Sequence, residues 1–312
     1  MKKTFTPPGN ISIGILGNAA KLSTCETASE LTKILDERNI RYVVQDDIAG
    51  QMKLKCGRDA TKTAVPRSQV PSKADVVVSL GGDGTILQTA ATVGALGKPI
   101  LGVNLGKLGF LAELNLDELK NSIDELFKGK FNLEERAVLE ATFDQDGGSV
   151  RIFGLNDIVI DKAGSSRMID VETYVDSDYL MTYRGDGIVI STPTGSTGYS
   201  LSTGGPIISP ESRVIAISPI CPHTLSARPV IVPDTCQIRI VAHSTSKNVM
   251  VTADGQAPKL LPQPAEFKVS LAPHKIVLLR KSKNGFFNLL RTKLMWGLDI
   301  RSSETSLREE SK

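Results

Sequence analysis

The sequence predicts an α/β region built on an open parallel sheet, followed by an all-β, sandwich-like region and a C-terminal amphipathic helix. Two observations carry this. Over the first 130 or so residues, apolar runs alternate between strand and helix patterns, which implies a parallel sheet wrapped by helices. From about Glu134 the pattern changes to short β-type runs separated by turn residues, so we place the regions at 1–133 and 134–280.

In order, Ile11–Gly17 reads as a strand, and Ser23 with Glu26 as a capping box opening a helix to about Arg38. Tyr42–Val44 is a short strand. Asp75–Leu80 is β-branched and almost wholly apolar, as expected of a parallel strand buried on both faces. A helix from Thr85 to Val93, a strand from Pro99 to Val103 and a helix carrying Leu119, Ile123, Leu126 and Phe127 follow. Between the strands at Tyr42–Val44 and Asp75–Leu80, Lys53–Lys73 has six basic residues against the single acid Asp59 and reads as a surface loop, with a phosphate-facing role as the alternative. The second region contains runs such as Ile169–Val175, Gly187–Ser191 and Phe267–Leu271, and Asp144–Gly148 supplies a hairpin turn. Phe286, Leu289, Leu290 and Leu294 mark the C-terminal helix, which contains Trp296, and the polar residues 302–312 read as a disordered tail.

Composition narrows the function classes. Of 312 residues, 40% are apolar and 23% charged, enough to bury a core, while a net charge of +3 is too small to argue for nucleic acid. No apolar run approaches the roughly 18–20 residues of a membrane helix. Four cysteines at 25, 56, 221 and 236 form no metal spacing and read as reduced thiols of a cytoplasmic protein. A secreted, membrane-spanning or zinc-finger protein is not expected.

Three segments carry candidate chemistry. Gly81-Gly82-Asp83-Gly84-Thr85 lies between a buried strand and a helix, where an open parallel sheet binds its ligands. Glycines let backbone N–H groups approach an anion, and the helix N-terminus favours negative charge. Asp83 repels phosphate, so its presence fits a base for a nucleophilic hydroxyl or a holder of Mg²⁺; the alternative is a helix cap. Asn104–Leu111 is a second glycine-containing loop after a strand. Between Thr192 and Ser200 every residue is a hydroxyl residue, glycine or proline, which suits hydrogen bonding to ribose, amide or base edges. The phosphate-loop signature G-x-x-x-x-G-K-[ST] and the hydride-transfer fingerprint G-x-G-x-x-G after the first strand are both missing.

Together, Gly81–Thr85, Asn104–Leu111, Leu155–Asp157, Asp186–Tyr199, Pro219–Ser226 and Asp254–Gln256 resemble the NAD kinase family, in one order along the chain. The resemblance implies an α/β nucleotide-binding domain completed by about residues 281–301, and a β-rich NAD-binding domain. It implies transfer of the γ-phosphoryl of ATP, with Mg²⁺ or another divalent cation, to the 2′-hydroxyl of the adenosine ribose of NAD. Asp83 would be the general base, with Gly82, Gly84 and Thr85 near the phosphates. Asn156 and Asp157 would contact the ribose and adenine, and Thr194, Ser196, Thr197, Gly198, Tyr199 and Gln256 would line the NAD site. Asp186 would face the nicotinamide end, with Arg184 and His223 beside it. Asp157 stands where the family commonly has Glu, and Gly198 where it has Ala. No metal ligand set is read. We expect a homo-oligomer, dimer or tetramer, in the cytoplasm, with neither nucleic acid nor membrane as partner. A lipid or sugar kinase sharing the glycine loop, and a nucleotide sensor without turnover, are the competing readings.

Overall fold

The computed structural model describes residues 3–106, 109–245, 247–281 and 285–295. Lys107 and Leu108, Trp296 and the expected tail 302–312 therefore lie outside the described residues.

The first sheet takes β1 (Lys3–Thr4), β2 (Ser12–Gly17), β3 (Arg41–Gln45), β4 (Ala64–Val65), β5 (Val76–Leu80), β6 (Ile100–Asn104), β7 (Leu114–Asn115) and β8 (Phe131–Arg136). Helices α1 (Leu22–Glu37), α2 (Asp46–Cys56), α3 (Asp83–Val93) and α4 (Leu119–Phe127) connect them. The strand order is β1-β8-β21-β6-β5-β2-β3-β4, where β21 (Ile276–Lys281) returns from the far end of the chain and β7 pairs with β6. β21 joins β6 in parallel and β8 antiparallel. The chain leaves β2 for β3 on one side and later reaches β5 on the other. The carboxyl ends of β2 and β5 are thus the topological switch point, where such sheets bind ligands.

The second region is two six-stranded antiparallel sheets. Its strands are β9 (Leu139–Gln145), β10 (Gly148–Gly154), β11 (Asp157–Asp161), β12 (Ile169–Val175), β13 (Asp178–Gly185) and β14 (Gly187–Ser191). After the short helix α5 (Tyr199–Ser202) come β15 (Val214–Ile220), β16 (Val230–Pro233), β17 (Ile238–Ser244), β18 (Asn248–Ala253), β19 (Gln256–Pro262) and β20 (Ala265–Leu271). The sheets β10-β9-β20-β17-β12-β13 and β16-β15-β14-β11-β18-β19 share one apolar core. Phe143 and Phe267 meet edge-on within it, 5.6 Å between ring centres. β17 alternates buried and half-buried residues as a one-sided strand should, whereas all five residues of β14 are buried. Asp146 and Gly147, both with positive φ, turn the expected β9–β10 hairpin.

The helix α6 (Phe286–Leu294) returns to the first region, where Lys293 lies 5.9 Å from the Phe110 ring centre. A further core cluster joins the regions: Ile86, Leu87 and Ala90 of α3 and Leu111 pack with Val138, Leu155 and Ile276. Among the described residues no helix is long and apolar enough to cross a membrane.

Two local expectations are corrected. α1 starts at Leu22 behind Lys21, and no side chain caps it, so Ser23 and Glu26 do not form a capping box. Asn18 makes the lead-in instead: its side chain accepts from Ala20 N at 3.0 Å and its carbonyl from Lys21 N at 3.1 Å. Lys53–Lys73 is also not a loop, since it holds the end of α2, three 3₁₀ turns and β4. Val70 is buried against Gly14, where a Cβ would come within 2.6 Å of it. Arg67 turns inward to Gly17 O, Gln45 Oε1 and Thr92 Oγ1, at 3.2, 3.1 and 3.1 Å.

Candidate active site

The glycine loop follows β5 at the switch point. Gly81 has φ +153°, and a Cβ there would fall 2.3 Å from Thr85 Oγ1, so Thr85 requires the glycine. Gly82 is the N-cap of α3 and no side chain caps the helix. Asp83 is thus not a cap. Its carboxylate faces Asn104–Leu111 instead: Oδ2 accepts from Phe110 N at 2.8 Å and Oδ1 from Leu111 N at 3.0 Å. Gly109 permits this approach, since a Cβ on it would sit 1.8 Å from Asp83 Oδ1. The two glycine-containing segments meet here, with the carboxylate held in one orientation.

The second cluster gathers around Asn156 and Asp157. The Asp254 carboxylate accepts from Leu155 N, Asn156 N and Asp157 N at 2.8, 2.7 and 3.1 Å. The hydroxyl-rich loop packs on the same turn. Thr192 Oγ1 donates to Leu155 O at 2.6 Å and Thr192 N to Asn156 O at 2.9 Å. A Cβ on Gly195 would lie 2.1 Å from Asn156 O, and one on Gly198 would lie 3.4 Å from Asn156 Nδ2. Asp157 is buried, and burial with the nearby Asp254 charge raises its carboxyl to about 7. Burial also pushes Asp254 up, against the three N–H bonds that favour its charge.

The remaining predicted residues divide by exposure. Tyr199 is 44% exposed at the start of α5. Burial raises its hydroxyl, helped by Asp161, Cys221, Asp186 and Asp157, so these groups share one neighbourhood. Asp186 pairs with Lys162 at 2.8 Å. Ser196 is fully buried, with its hydroxyl donating to Pro193 O at 2.7 Å and accepting from Ile208 N at 3.0 Å. Thr194 accepts from buried Arg136 Nη1 at 3.1 Å, and Thr197 donates to Thr194 O at 3.3 Å. Both Ser196 and Thr194 hydroxyls thus already have protein partners. Arg184 and His223 are at the surface, joined by His223 N to Arg184 O at 2.8 Å, and Arg184 Nε lies 3.8 Å from Asp170. Gln256 borders a cleft with Gly17, Gln45, Arg67, Gln88 and Thr92 at the carboxyl ends of β2 and β3.

Sequence reasoning did not single out Lys162, Arg136 or Arg280, nor give Asp254 a role of its own. Arg136 pairs with Glu134, and burial draws its guanidinium down to about 10. Arg280 donates to Phe110 O, Ala112 O and Glu113 Oε2. The one local signal is an arginine directly after the apolar run Ile276–Leu279.

Comparison with known proteins gives the family. The model of the ATP-NAD kinase N-terminal domain matches residues 13–131, and that of the C-terminal domain matches 155–281. The NAD kinase of Moorella thermoacetica is 40% identical over 289 residues, covering 91% of this chain and 89% of that protein. That of Bacteroides fragilis is 42% identical over 228 residues, covering 73% and 78%. Among solved structures, yeast NADH kinase in complex with NADH superposes with a TM-score of 0.85 at 27% identity, covering 96% of this chain and 95% of that one. An Archaeoglobus fulgidus NAD kinase in complex with ATP shares the fold, with a TM-score of 0.73 at 22% identity over 91% of this chain and 99% of that one. With both domain models matched in order and relatives at this identity across most of its length, the chain belongs to the ATP-NAD kinase family.

Proposed function

We infer that the chain is an NAD kinase, which phosphorylates NAD to NADP at the expense of ATP, and that the acceptor is the 2′-hydroxyl of the adenosine ribose. The observation that carries the assignment of roles is the Asp83 carboxylate, fixed by Phe110 N and Leu111 N at the N-terminus of α3. Each of its oxygens keeps a lone pair for the incoming hydroxyl. Phosphoryl transfer runs through a loose transition state that depends on positioning and charge neutralisation, so an oriented carboxylate suffices as base.

The acceptor side is the turn at Asn156 and Asp157 with Thr197–Tyr199. Asn156 offers its amide and Asp157 its carboxylate to the adenosine, and Asp186 with Tyr199 stands toward the nicotinamide end. The donor side is the cleft at the ends of β2 and β3, bordered by Arg67 and by Gln88 and Thr92 of α3. Among the described residues no three His, Cys, Asp or Glu side chains form a metal site. Mg²⁺ is ordinarily held by one or two carboxylates together with substrate phosphates, so the divalent cation would arrive on the phosphates of ATP as part of the substrate. The test is purified protein with Mg²⁺-ATP and NAD, with NADP read through an NADP-specific dehydrogenase. No NADP above a protein-free control would overturn the reading.

A further inference from the structure

We propose that Arg280 is a positioning residue for phosphoryl transfer, acting on Asp83 through the single peptide group that joins Phe110 to Leu111. Arg280 Nη2 donates to the carbonyl of that peptide at 2.9 Å, and its N–H donates to Asp83 Oδ1 at 3.0 Å. A cation thus binds one end of a peptide dipole and the carboxylate the other, which strengthens the N–H as a donor. The same guanidinium holds Ala112 O at 3.3 Å and Glu113 Oε2 at 3.1 Å. The other Glu113 oxygen accepts from Lys281 N at 2.8 Å.

Phe110 and Leu111, which bind Asp83, follow Gly109, a residue that restrains the backbone little, so contacts from elsewhere must fix their carbonyls. Arg280 is 9% exposed on β21, the strand between β6 and β8, and so is anchored in the sheet. Its charge is balanced by Glu113 and by Glu134 at 3.9 Å, and Glu134 also pairs with Arg136. Arg136 in turn donates to Thr194 Oγ1 at 3.1 Å, so the network also reaches the hydroxyl-rich loop. Buried ion networks seldom stabilise a fold better than apolar residues would. A role in geometry accounts for this one, whose donors end on the carbonyls of the loop that orients Asp83. The inference rests on the reading of Asp83 as the catalytic carboxylate.

The test is steady-state kinetics of Arg280→Gln and Arg280→Lys, with melting curves. In Arg280→Gln, kcat should fall by roughly 10- to 100-fold, as expected for a misplaced catalytic group. KM for NAD and for ATP should stay within about threefold, since Arg280 itself contacts neither the Asn156 turn nor the cleft at Arg67. Arg280→Lys should recover part of the lost kcat. If Arg280→Gln fails to fold, Glu113→Gln/Arg280→Gln leaves that pair neutral and gives the same readouts. A loss borne by KM, or a Lys variant no better than Gln, overturns the inference. Full activity in Asp83→Asn overturns the reading beneath it instead.

Discussion

Asp254 Oδ1 accepts the amide proton of Asn156 at 2.7 Å, the shortest of the three backbone bonds that clasp Leu155–Asp157. Asp254 N returns a bond to Asp157 O at 3.0 Å, so the hairpin at Asp254 and Gly255 and the turn before β11 hold each other. The turn that presents Asn156 is therefore set from a hairpin almost a hundred residues away in sequence.

Substituting Asp254 should act on NAD and not on ATP. Asp254→Ala leaves three N–H groups without their acceptor, at a cost of roughly 1–3 kcal/mol for each one left buried. We expect a clear fall in the denaturation midpoint, a rise in KM for NAD of about tenfold or more, and a smaller change in KM for ATP. Denaturant titration and separate KM determinations check this. Equal changes in the two KM values would separate Asp254 from the acceptor side.

Asp157 makes the turn before β11 sensitive to pH. Its carboxyl is raised from 3.8 to about 7, so between those values the unfolded chain has lost a proton that the folded chain keeps. Stability from this group accordingly falls as pH rises through that window. Asp157→Asn is close in shape to the protonated acid and should remove the fall, melting higher than the parent near pH 8 and about equally near pH 4. The ionised acid accepts a ribose hydroxyl better, so NAD should bind more tightly as pH rises through about 7 in the parent and lose that dependence in the variant. A binding curve with the opposite slope would sink the assignment.

The loops are legible in the sequence because close approach leaves a compositional mark. Gly81, Gly109 and Gly195 each stand where a Cβ would strike Thr85, Asp83 or Asn156. Buried parallel strands are equally plain, since β5 is apolar on both faces. Other elements carry weaker marks. α2 buries only Ile48, Ala49 and Met52, so no apolar face announces it. β13 and β19 are edge strands, and β19 includes Pro258 and Lys259, residues an edge tolerates and a central strand does not. The ion network leaves a single mark, Arg280 after the apolar run Ile276–Leu279. Glu113, Glu134, Arg136, Thr194 and Arg280 meet only because β21 returns to lie between β6 and β8.

Gly109 and Gly195 should fail differently on conversion to alanine. In Gly109→Ala the new methyl meets Asp83 Oδ1 at 1.8 Å, displacing a side chain. We expect kcat to fall by roughly 100-fold, with a stability loss of roughly 1–2 kcal/mol from the broken bonds to Phe110 N and Leu111 N. In Gly195→Ala the clash is with the Asn156 backbone carbonyl at 2.1 Å, which cannot move without breaking the turn. That variant should lose stability by roughly 3 kcal/mol or more and show reduced NAD binding in whatever fraction folds. Melting curves and kcat, measured together, separate the two.

Asp83→Asn tests the role of the carboxylate itself. As a helix cap, Asp83 would tolerate Asn, which caps about as well. The structure removes that option, since Gly82 is the cap and Asp83 binds Phe110 N and Leu111 N. An amide has only one acceptor oxygen, so one of those two N–H groups would face an NH₂ group and lose its bond. A stability loss of roughly 1–2 kcal/mol is therefore expected, more than a cap exchange would give. Activity should fall further than the loop's slight loosening explains. The amide cannot take the hydroxyl proton at neutral pH, and a positioned base contributes roughly 10²–10⁴-fold. NAD affinity should survive, because removing a negative charge does not repel an anionic dinucleotide. The measurements are kcat, NAD binding by titration calorimetry, and the unfolding midpoint. A folded variant that binds NAD and keeps nearly full kcat would show that the hydroxyl is activated by some other group, and would end the assignment of Asp83 as the base.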